Sequence, residues 1–219
     1  MIWIVIFLII LVASFFMAYL SMKNYQESLP ILTSSLYLVR NPALVNETFA
    51  NKLYERLVKS KSYISLERLF KGDREALVIF GPKEVLEEFS ELNLLELEDY
   101  INVSQDNINL WEMTVGNKDG GKLPPLGEDE QFWLQIILKA DDKNNFKTYF
   151  RAAAICPDER KRTKLTTFLK EGIGSLIFLP RPLSSGKMLD LYKARVLPPF
   201  YSSSSKIGVS SFLKLTTKL

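Results

Sequence analysis

The sequence predicts an α+β protein made of an apolar N-terminal helix and two antiparallel sheet-and-helix units of the split βαβ kind. Three observations carry this. Residues 1–20 hold no charged residue and no proline. Residues 33–100 alternate between strand-like and helix-like periodicity in the order β-α-β-β-α-β. A second series of strands and one capped helix then follows from residue 108.

A helix of about 20 residues spans about 30 Å, the hydrocarbon thickness of a bilayer, so residues 1–21 are expected to cross a membrane. A cleaved signal peptide would carry a basic start and a small-x-small exit, and neither is present before Lys23. Lys23 is the nearby cation that leans the soluble part towards the cytoplasm, giving a single-pass protein of the inner membrane. Residues 22–32 read as a polar linker.

In the first unit, residues 33–101, TSSLYLVR is a strand stopped by Asn41-Pro42. Asn46 caps a helix whose stripe is Phe49, Leu53 and Leu57 with Tyr54 and Val58. YISLERLF and EALVIF are strands around the turn Lys71-Gly72-Asp73-Arg74, and Gly81-Pro82 breaks the second. KEVLEEFSELN is a helix and LLELEDY a closing strand. This is the ferredoxin-like plan, with helices on one face of the sheet. The acidic row Glu84, Glu87, Glu88, Glu91, Glu96, Glu98 and Asp99 reads as a solvated surface.

The second unit, residues 102–197, repeats the theme. INLWEMTV, QFWLQIILKA and FKTYFRAAAIC are strands, the last two a hairpin across Asp141–Asn145. Asp158 caps a helix that buries Leu165, Phe168 and Leu169 and ends at Gly172 and Gly174. Residues 176–179 form an extended segment and 187–196 a short helix. Residues 198–219, with Pro198-Pro199 and the serines 202–205, read as a linker and a C-terminal segment.

The composition excludes several chemistries. With no histidine and Cys156 as the single cysteine, Ser-His-Asp and Cys-His catalysis, histidine-ligated zinc and internal disulfides have no residues to work with. RPLSSGKML, residues 181–189, imitates a phosphate-binding loop. Arg181 stands where the first glycine is needed, and Met188 stands where magnesium requires Ser or Thr. No catalytic, cofactor-binding or metal-binding residue is expected, and no cofactor.

Charge is uneven along the chain. Residues 1–150 carry 15 Lys and Arg against 21 Asp and Glu, whereas residues 151–219 carry 13 against 4. The candidate contacts with a partner, anionic lipid or nucleic acid are therefore Arg151, Arg160, Lys161, Arg162 and Lys164, interleaved with Phe146, Tyr149 and Phe150. The glycine-containing RRM signature is absent, which weighs against nucleic acid as the partner.

Over most of residues 33–219 the chain resembles the membrane-proximal N-terminal region of bacterial HerA/FtsK-like and conjugative type IV secretion-like ATPases. The resembling segments are GDREALVIFGPKEVLEEFSELNLLELEDY, GEDEQFWLQIILKA and VSSFLKLTTKL, the last lying where that family joins its motor domain. The resemblance implies a non-enzymatic, membrane-tethered anchor or docking module for a translocation or secretion ATPase, with the motor itself absent. Its partners would be the bilayer and that ATPase. A membrane-tethered nucleic-acid-binding module is the alternative expectation.

Overall fold

A computed structural model describes residues 2–28, 34–116, 122–141, 143–171, 173, 175–179, 185–196 and 204–212. Residues 1–21 do not supply the expected transmembrane span. Residues 2–21 are helical, within α1 (Ile2–Ser28), but among the described residues no helix is long and apolar enough to cross a membrane. The assignment to the inner membrane as a single-pass protein falls with it. α1 also continues into the expected linker, and residues 29–33 lie outside the described residues.

The α+β class holds, but the two units are not separate sheets. The chain builds one sheet from β1 (Ser34–Val39), β2 (Tyr63–Lys71), β3 (Arg74–Pro82), β4 (Leu94–Leu97), β5 (Ile108–Val115), β6 (Gln131–Asp141), β7 (Asn145–Ile155), β8 (Leu176–Leu179) and β9 (Ser205–Gly208). The order is β4-β1-β3-β2-β6-β7-β5-β8, with β9 beside β7. The halves fuse where β2 pairs antiparallel with β6 from Tyr63↔Lys139 to Lys71↔Gln131. Both strands are apolar on alternate residues and buried along nearly their whole length, which suits central strands.

Even-numbered residues of β2, β6 and β7, such as Ile64, Leu66, Phe132, Ile136 and Phe150, share one core with α2 (Glu47–Ser60) and α4 (Glu159–Lys170). Asn46 caps α2 by accepting from the Phe49 amide at 3.1 Å, and Asp158 caps α4 by accepting from the Arg160 and Lys161 amides. Val58 and Phe168, expected in the core, are exposed, and Ala50, Arg162 and Thr166 are buried instead.

Gly81-Pro82 does not end β3. The strand runs through both, paired with β1 at Ser35↔Gly81 and Ser34↔Pro82, and position 81 suits glycine because a Cβ there would sit 2.7 Å from Ile64 Cγ2. The expected helix 83–93 shortens to α3 (Lys83–Leu86) and a 3-10 turn over Ser90–Leu92. Asn93 then adopts a left-handed φ of 50°, which delivers Leu94 to the start of β4. The serine-rich linker also contains structure, since β9 begins at Ser205. Residues 180–184, which include the first four residues of the RPLSSGKML loop, together with Gly172, Gly174, 197–203 and 213–219, lie outside the described residues, while residues 185–189 of that loop are helical.

Candidate functional site

The opposite face of the sheet carries polar residues in its centre. Cross-strand register aligns Glu67 on β2 with Gln135 on β6, Gln135 with Arg151 on β7, and Arg151 with Glu112 on β5. Residues directly opposite one another point to the same face, so these four make a row across four adjacent strands. All four are buried. α5 (Ser185–Ala194) lies over them.

The row holds the end of that helix. The last carbonyls of a helix lack intrahelical partners and carry its negative pole. Arg151 Nη1 donates to the Leu191 carbonyl at 2.8 Å and Gln135 Nε2 to the Tyr192 carbonyl at 2.9 Å. Arg195 Nη1 donates to the Lys193 carbonyl at 3.0 Å. Three of the last carbonyls, of which Tyr192's also accepts from the Arg195 backbone amide at 3.2 Å, therefore meet cations or a side-chain amide from the sheet and from the residue just past the helix. Arg195 adopts a φ of 53°, the left-handed conformation that usually calls for glycine after a helix. Its side chain is what the position needs.

From there Arg195 reaches into the row. Nε meets Glu67 Oε1 at 2.9 Å, while Nη1 and Nη2 grip both oxygens of Asp99 at 3.0 and 3.2 Å. Glu67 also accepts from Ser65 at 2.8 Å, Tyr100 at 2.6 Å and Gln135 at 3.0 Å. An ionised carboxylate removed from water requires this many donors.

Burial pulls the Arg151 guanidinium down to about 10, with Glu112 opposing that pull. For Arg195 burial also acts downward, but Glu67 and Asp99 outweigh it and hold the group above its ordinary value. Burial raises the Tyr100 and Tyr192 hydroxyls well above theirs, so both stay protonated. The cluster is an ion-pair and hydrogen-bond network that joins the sheet to the end of α5, and within it Arg151 Nε and the Tyr192 hydroxyl are buried without a hydrogen-bond partner among the described residues. Among the described residues, no group of three or more Cys, Asp and Glu is placed to hold a metal.

The five basic residues singled out in the sequence separate in space. Arg151 belongs to the network, and Arg162 is buried against the Cys156 carbonyl at 2.6 Å, tying α4 to the end of β7. Arg160 and Lys164 are exposed on α4, and Lys161 pairs with Asp129 at 3.1 Å. The sequence reasoning missed Glu67, Gln135, Asp99 and Arg195, which lie far apart in the chain. An arginine inside the apolar run of β7 was the one available signal. No protein-family model matches this chain, and no curated protein matches it.

Proposed function

We propose that the chain is a non-enzymatic docking module that engages a translocation or secretion ATPase. The observation that supports this most is α1. Its described side chains from Trp3 to Tyr19 include twelve large hydrophobics that are exposed, Phe7, Phe15 and Phe16 among them. An apolar surface on that scale marks an interaction site. The ATPase as occupant rests on the resemblance of residues 33–219. The internal engagement of Glu67, Arg151, Arg195 and Asp99 fits a rigid platform.

The test uses the tagged full chain and a variant with Phe7, Phe15 and Phe16 replaced by serine. The expected result is recovery of a P-loop ATPase by the parent alone, with a changed rate of ATP hydrolysis when the purified chain is added. Recovery by both proteins, no effect on hydrolysis, or turnover of a substrate by the chain alone would overturn the reading.

A further inference from the structure

On the face that carries the network, a groove opens at the hairpin end of β2 and β3. Register sets two rows there. Ala76 on β3, Leu69 on β2 and Trp133 on β6 stand directly opposite one another, and two residues further out so do Arg74, Lys71 and Gln131. Tyr100 lies beside them, edge-on to Trp133 with ring centroids 5.0 Å apart. Together with Phe70 and Glu75 these residues line about 390 Å³, within the range of small-molecule sites. The inner row is an apolar floor on which Leu69, Ala76 and Tyr100 are only half-buried. The outer row is a rim of donors. Lys71 and Arg74 are exposed, and among the described residues neither is ion-paired. The Glu75 carboxylate is taken by Arg68 at 2.6 Å, and Asp73 in the turn and Glu128 in the loop beside Gly72 pair with neither cation. Gln131 Oε1 accepts from Trp133 Nε1 at 3.2 Å, which leaves the Gln131 amide nitrogen to donate.

We propose that this groove binds a small organic carboxylate with an apolar, ring-sized body. The body lies on the floor of Ala76, Leu69 and Trp133 beside Tyr100, where apolar area leaves water and aromatic edges meet the ring. The carboxylate meets the rim. Arg74 supplies a planar fork that matches two carboxylate oxygens, Lys71 a point charge and Gln131 a neutral donor. Like charges directly opposite in a sheet repel, and an anion held between Lys71 and Arg74 relieves that repulsion. Cations exposed to water hold a bare anion weakly, so the floor is what separates this ligand from acetate. One cationic rim at one end of one apolar floor calls for a single charged group at one end of the ligand.

None of the lining residues belongs to α1, so the inference is independent of the ATPase reading. The probe is 2-naphthoate, titrated into the 15N-labelled full chain while the indole N–H resonances of Trp3, Trp111 and Trp133 are followed, with Trp3→Phe and Trp111→Phe to assign them. A saturable shift of Trp133 is expected, with Trp3 unmoved. 2-Naphthamide, the neutral isostere, is expected to bind about tenfold more weakly, and so is 2-naphthoate to the Lys71→Gln, Arg74→Gln double variant. Ala76→Leu fills the floor and is expected to abolish binding. Circular dichroism of each variant reports on the fold. No shift of Trp133 at millimolar probe, a shift of Trp3 in its place, equal binding of the acid and the amide, or full affinity in folded Ala76→Leu protein would overturn the proposal.

Discussion

Arg195 joins two roles that are usually held by different residues. It takes the left-handed position after α5, and its guanidinium neutralises Glu67 inside the protein. Truncating it leaves Glu67 buried and short of its cation, a loss on the order of 3–5 kcal/mol. Arg195→Leu is therefore expected to lower the urea midpoint sharply, and adding Glu67→Gln should recover a good part by removing the stranded charge. A double variant no more stable than the single one would locate the cost elsewhere. Asp99 adds a pH dependence. Burial pushes its carboxyl up, but the Arg195 fork and the Ile101 amide outweigh burial and hold it below the ordinary value. The folded state then binds the proton more weakly than the unfolded chain, whose value is about 4. This stabilisation is complete above about pH 4 and fades as pH falls through the lower folded value. Unfolding of Asp99→Asn should differ from the parent at neutral pH and converge with it in acid. Little of this was legible in the sequence. Arg162, expected among the partner contacts, is buried because it lies three and seven residues before Leu165 and Leu169, on the buried stripe of its own helix.

Elements with a local cause could be read, and those set by neighbours could not. The caps at Asn46 and Asp158 act within three residues, so both helix starts follow from the chain alone. Replacing Asp158 by alanine should cost about 1 kcal/mol, measured by urea unfolding. Gly81 shows the opposite case. Read locally, Gly-Pro is a breaker, but the strand persists because β1 pairs with β3 through both residues. Gly81→Ala is expected to destabilise by about 1–3 kcal/mol through overpacking against Ile64. In an Ile64→Ala background the methyl that collides is gone, so the same substitution should cost almost nothing. Additive costs would contradict the contact.

At the scale of the molecule, the chain's two series of strands were visible as periodicity, but their fusion was not. Periodicity identifies a strand and says nothing of which edge it joins. The strands that meet are β2 and β6, each buried along most of its length. Apart, each half would present a long apolar edge, a template for aggregation. Together they bury those edges in a nine-residue register that also aligns Glu67 with Gln135, so the polar network exists only in the fused sheet. The core likewise runs without a break from Tyr37 and Phe49 to Leu165 and Phe212. Such sharing couples the halves energetically, and the full chain should unfold in one step. Trp111 and Trp133 report from the second half, whereas far-UV circular dichroism weights both. Coincident urea transitions by fluorescence and dichroism are expected. A fluorescence transition displaced from the dichroism one would mean that the β2–β6 seam opens before either half melts, leaving two domains that merely touch.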